Sequence, residues 1–105
     1  MTTPINDGQV TQIAPTTSAI TSKPYTTKYY PWFVASADHL AGSETVNILV
    51  MVANVPTQVV MPDLTTPAML TVAHPGLPLI GGMTYIFEKS STAANCGVYL
   101  DPIMK

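Results

Sequence analysis

The chain contains no arginine, and its four lysines, Lys23, Lys28, Lys89 and Lys105, are scattered along 105 residues. Phosphate recognition relies on arginine forks and clustered cations, so direct nucleic-acid binding is not expected. Charge of either sign is scarce. Charged residues make up 10% of the sequence and the formal net charge is −2, against roughly 25% charged residues in an ordinary globular domain. Thr, Ser, Asn, Gln and apolar side chains stand where a soluble monomer would carry charges. Interface centres are depleted in charge in the same way, so much of the surface is expected to be covered in the working state.

Cysteine is nearly absent too. Cys96 is alone, which excludes a disulfide within the chain. No apolar run approaches the ~20 residues that span a bilayer, because Val46 to Val55 is interrupted by Asn47 and Asn54. The N-terminus carries neither a basic patch nor an apolar core of the secretory kind, so synthesis in a cytoplasm and no membrane partner are expected. Metal ligation needs three or four His, Cys or carboxylate ligands at local spacing. Asp38, His39 and Glu44 come closest, and no metal is expected there. No glycine-rich loop leads into a helix to cradle a phosphate, and no cofactor is expected. A hydrolase would need Cys96 as nucleophile beside His39 or His74. Cys96, however, falls on the inward face of an expected strand, where a thiol acts as a small hydrophobe. The expectation is a protein that is not an enzyme.

What the chain does have is proline, ten in all. Each removes a backbone donor and fixes φ, which bars long helices. The first 27 residues hold eight Thr, three Pro and only two charges, Asp7 and Lys23. They read as an extended N-terminal arm, with Ile5, Val10, Ile13 and Ile20 as apolar pegs for a neighbouring subunit. Residues 28–105 read as the folded domain. Its ~75–80 residues would bury only about 60–65% of the unfolded surface, so oligomerisation or docking is expected to support it. About seven short strands are expected. The clearest is Glu44 to Val52, with Val46, Ile48, Val50 and Val52 on one face. Others are expected over Lys28 to Ala35 (interrupted or entered at Pro31), Thr57 to Met61, Ala68 to Ala73 (Leu70 and Val72 inward), and Cys96 to Leu100, ended by Asp101-Pro102. Gly81-Gly82, between Leu77–Ile80 and Met83–Glu88, reads as a tight hairpin turn. Together these predict an all-β antiparallel sandwich behind the arm, with a jelly roll among the arrangements open to it.

Tyr25, Tyr29, Tyr30, Trp32 and Phe33 form the one aromatic group. Core, subunit interface and sugar platform are all open to it. Tyr25, Tyr29 and Trp32 join the four arm aliphatics as candidate partner contacts.

The segments Leu77-Pro78-Leu79-Ile80-Gly81-Gly82-Met83-Thr84-Tyr85-Ile86-Phe87-Glu88-Lys89 and Thr92-Ala93-Ala94-Asn95-Cys96-Gly97-Val98-Tyr99-Leu100 resemble the C-terminal hairpins of small β-rich virion proteins from tailed bacteriophages. The resemblance implies a capsid decoration or cement protein, or a small connector or tail part. Its implied partners are the major capsid protein or other virion subunits, with a homo-oligomer, for example a trimer, as the working form and the virion as its location. The reading from another class is a capsid-surface or fibre module that binds carbohydrate through Trp32 and Tyr29 or Tyr30.

Overall fold

β-Branched and aromatic residues alternating with polar ones, cut by proline and glycine, leave pleated strands as the only regular structure this chain can build. In the computed structural model, which describes residues 10–28, 30–61 and 65–103, these strands are β1 (Val10–Thr16), β2 (Ile20–Thr21), β3 (Tyr25–Thr26), β4 (Trp32–Ala37), β5 (Val46–Val52), β6 (Val55–Gln58), β7 (Met69–Leu70), β8 (Gly76–Ile80), β9 (Thr84–Lys89) and β10 (Cys96–Ile103). No helix occurs among the described residues. One sheet has the order β1-β10-β4-β8. The other has the order β2-β9-β5-β6, with β3 also on β9 and β7 also on β5. All pairings are antiparallel.

β2 and β3 share one lane, and β6 and β7 share another. The chain is therefore one long ribbon of nested pairs: β5 with β6–β7, β4 with β8, β2–β3 with β9, and β1 with β10. Rolled so that successive pairs fall in opposite sheets, this is the jelly-roll topology. The tip of the ribbon is the two-residue loop Ala53-Asn54, with φ of 51° and 67°, joining Val52 to Val55. Two positive φ values are what a tight hairpin with the native strand twist demands.

The core fills the space between the sheets with alternate residues. Phe33 and Ala35 of β4, Val46 and Ile48 of β5, Leu77 and Leu79 of β8, Tyr85 and Phe87 of β9, and Cys96, Val98 and Leu100 of β10 are all buried. The expected inward faces of these strands hold. Val52 and Val72 are the exceptions: both are exposed, Val52 because it stands at the ribbon tip beside Ala53-Asn54 and Val72 because β7 stops at Leu70. β10 also runs past its expected end at Asp101-Pro102 to Ile103, and Pro102 pairs with Phe33.

The expected arm of residues 1–27, separate from a domain at 28–105, needs correction where it can be seen. Residues 10–27 are built into both sheets: β1 pairs with β10, and β2 and β3 pair with β9. Ile13 is 4% exposed in the core. The physical reason is that the terminal strands β9 and β10 would otherwise leave their outer backbone groups unpaired. Ile5 lies outside the described residues.

Gly81-Gly82 also does a different job. Gly82 has φ of 88°, as a tight turn requires, but β8 and β9 lie in different sheets. The pair is the corner by which the ribbon crosses over the core, not a hairpin loop. At that corner Gly81 N–H donates to Pro31 O at 2.7 Å, and a Cβ on Gly81 would collide with the carbonyl oxygen of Tyr30. A Cβ on Gly82 meets nothing within 4 Å. Gly81→Ala is therefore expected to cost roughly 2–4 kcal/mol, since backbone must move. Gly82→Ala is expected to cost about 1–2 kcal/mol from its left-handed backbone alone. Urea unfolding of the two variants measures this order, and equal losses would contradict the corner geometry.

Candidate functional site

Every buried polar residue among those described lies on one seam: Ser22, Thr27, Lys89 and Thr92. The seam joins residues 10–27 to the rest of the sandwich. Ser22 N–H donates to Phe87 O at 2.8 Å, and its hydroxyl accepts from Phe87 N–H at 2.9 Å. Thr27 does the same to Met83: its N–H and hydroxyl both donate to Met83 O at 2.9 Å, and its hydroxyl accepts from Met83 N–H at 3.2 Å. Lys89 follows Tyr85 and Phe87 on the inward face of β9 and is 3% exposed. Its Nζ donates to Ser18 O at 2.8 Å, Ser90 O at 3.0 Å and Thr92 Oγ1 at 3.0 Å. Thr92 N–H donates to Thr17 O at 2.9 Å. Three acceptors meet the three donors of the ammonium group. In sequence Lys89 reads as the start of a polar loop. The signal that would have placed it inside is its position two residues beyond Phe87, in the same period.

The outward faces are a different kind of surface. Register aligns Ile103, Trp32 and Ile80 across β10, β4 and β8, and the next row holds Asp101, Val34 and Pro78. Trp32 is 46% and Ile80 55% exposed. Beside them, at the β8 edge, lies an apolar groove of 430 Å³ lined by Trp32, Val60, Met61, Ala68 and Leu77 among others. Covering Trp32 and Ile80 would be worth about 1–2 kcal/mol each. Tyr30 does not join this face. It packs against the core, edge-on to Phe33 with ring centroids 6.0 Å apart, so of the aromatic group Tyr30 takes the core role while Trp32 stands on the outer face.

The other candidate contacts gather elsewhere. Val10, Ile13, Ile20 and Tyr25 all line an open hollow of 630 Å³ between β1 and the β2–β3 lane. Of these, Ile13 is buried, Val10 and Tyr25 are half-buried and Ile20 is exposed. Tyr29 lies outside the described residues.

Cys96 is fully buried and unpaired, and burial pushes its thiol above the ordinary range. The His39 side chain is 65% exposed, with Nδ1 3.4 Å from Asp38 Oδ2, and His74 is exposed. The nearby carboxylates serve the backbone: Asp38 accepts from Gly97 N–H at 2.7 Å, and Glu44 accepts from Ala41 and Ala93 N–H at 2.8 and 2.9 Å.

No family model matches this chain, and no curated protein sequence matches it significantly. Among solved structures it is similar to the SPBc2 prophage-derived protein YomS, at 11% sequence identity, with 88% of each chain covered and a TM-score of 0.67. The likeness is one of fold.

Two predictions follow from this interior. Lys89→Met leaves two carbonyls and a hydroxyl on the seam without their donor and is expected to destabilise by about 1–3 kcal/mol, measured by urea unfolding. The second concerns alkaline pH. Burial raises both the Cys96 thiol and the Tyr85 phenol, whose ordinary values are 9.0 and 10.0, and the Tyr85 hydroxyl donates to Ile80 O at 2.7 Å. The folded chain thus holds these protons more tightly than the unfolded chain. The stability they contribute is intact below about pH 9 and is lost as pH rises through the two ionisations. Unfolding free energy should fall from pH 8 to pH 10.5, and less steeply in Cys96→Ala.

Proposed function

We propose that this chain is a structural protein of a virion, a decoration or cement protein that attaches to the major capsid protein or another shell subunit. The observation that carries the reading is the exposed Trp32–Ile80 row on a sheet face with almost no charge. Tryptophan is enriched where interfaces are energetically strongest, and no basic cluster competes for another partner. Two supports are analogies of fold: jelly rolls recur in viral capsid and lectin domains, and a prophage-derived protein has a similar fold. Attachment is then by the outer face of β4 and β8 rather than by residues 10–27 laid across a neighbour. Strand addition at the β8 edge is discouraged. Bonded pairs fall at Gly81–Pro31 and at Ala37–Pro75, which turns the nitrogen of Pro78 to the free side, and that nitrogen has no proton to offer.

The apolar neighbours of Trp32 favour a protein partner over a sugar, since stacking on a sugar ring needs hydrogen-bonding groups beside the platform. Purified shells lacking the protein provide the test. Added wild-type protein should bind them and raise their disruption temperature. Trp32→Asp, which changes an exposed side chain, should fold normally and lose at least tenfold in affinity, about 1.4 kcal/mol. Shells of unchanged heat resistance with bound protein would contradict cementing, and binding of free glycans at Trp32 would move the protein to the carbohydrate-recognition class.

A further inference from the structure

We propose that residues 10–27 are an exchangeable strap, and that the strap of a second copy of this chain is the partner for the edges beneath it. The distribution of proline is the first observation. Every outer lane of both sheets carries or is flanked by one: Pro15 in β1, Pro78 in β8, Pro24 between β2 and β3, Pro56 in β6 and Pro67 beside β7. Proline guards a strand edge because it cannot extend the hydrogen-bond ladder. The two edges beneath the strap have no such guard. β9 contains no proline, and the only proline in β10, Pro102, lies beyond Cys96–Leu100, the residues that β1 covers. These two edges are made to receive strands.

The second observation is how the strap is held. It contributes one buried apolar side chain, Ile13, and one half-buried ring packed against the core, Tyr25. The remaining anchors are hydrogen bonds of fixed register: Ser22 on Phe87, Thr27 on Met83, and the Thr17 and Ser18 carbonyls on Thr92 and Lys89. A strap from another copy makes the same bonds, so exchange alters contacts only at the connection from Thr27 to β4, where Pro31 O accepts from Gly81 N–H, and the rest of its cost is set by concentration. Third, the hollow of 630 Å³ is lined wholly by residues 10–25. The strap bows around it, and β1 meets β10 with two breaks of register, between Thr11 and Ile13 and between Ile13 and Thr16. Little of the body has to move when the strap lifts. Exchange of an identical element is a low-cost route to linked copies, and it holds for this chain whether or not it belongs to a virion.

Thr26 and Thr84 provide the test, because they pair across β3 and β9 with their hydroxyl oxygens 2.7 Å apart and facing solvent. In a Cys96→Ala background, the double variant T26C/T84C should form a disulfide within its own chain, which reports a correctly seated strap. Chains carrying T26C alone and T84C alone are then mixed, unfolded together, refolded at high protein concentration and oxidised. Strap exchange predicts covalent dimers linked between position 26 of one copy and position 84 of the other, in several-fold excess over dimers linked at like positions. If mixed and like links form in the proportion of random collision, or if no covalent dimer forms while the double variant closes normally, the proposal is wrong.

Discussion

A β-ribbon has two edges, and each backbone group along them must be bonded, screened or left to water. The rest of this structure follows from how that constraint is met. With 10% charged residues, the chain cannot guard its edges with lysines, a common device. It uses proline on the lanes that stay open and the chain's own first strands on the lanes that do not. The strap has few large apolar residues with which to hold itself down, and so the seam is polar. Polar groups in an interior must all be partnered to be tolerated, and here Ser22, Thr27, Lys89 and Thr92 find partners across the seam. Such bonds discriminate between registers in a way that apolar contact does not, because a shift by one residue would strand a buried ammonium group.

Strands that lie between two neighbours were legible in the sequence. Ile48, Phe87, Val98 and Leu100 are fully buried, and the period-2 pattern that marks them is imposed by having one face on the core. The strap was not legible as part of the fold. β2 and β3 are two residues each, too short for any alternation to register, and β1 owes its place to the backbone of β10 more than to its side chains. Gly81-Gly82 shows a different limit. A positive φ between two apolar runs is needed equally by a hairpin and by a corner between sheets, and what separates the two is that β8 pairs with β4 and β9 with β5, a choice of partners that the local sequence does not encode. Of the candidate contacts, Trp32 lies on an outer face, whereas Ile13 turned out to be a core residue. A lone isoleucine among threonines looks the same in either role.

If the chain attaches to a shell as proposed, the relocation of residues 10–27 into the sandwich moves the adhesive burden from a tail to a face. A tail gains affinity by linkage, through the effective concentration of a second contact, whereas a face gains it by excluding water from apolar side chains already held rigid. Trp32 sits in a central strand, bonded on one side to β10 and on the other to β8, so little conformational entropy is lost when it is covered. Under that proposal the scarcity of charge lowers the cost of attachment, since few ions would have to be stripped of water.

Nesting also sets an order in time. Val10 pairs with Leu100, ninety residues further along the chain, while Val52 pairs with Val55. On a ribosome the tip of the ribbon can close early, but the lane that β1 fills does not exist until β10 has been made. At roughly 5–20 residues per second, the first strands wait several seconds after their own synthesis before their neighbours emerge. Where many ribosomes translate one message, that interval is when a neighbour's nascent chain is closest.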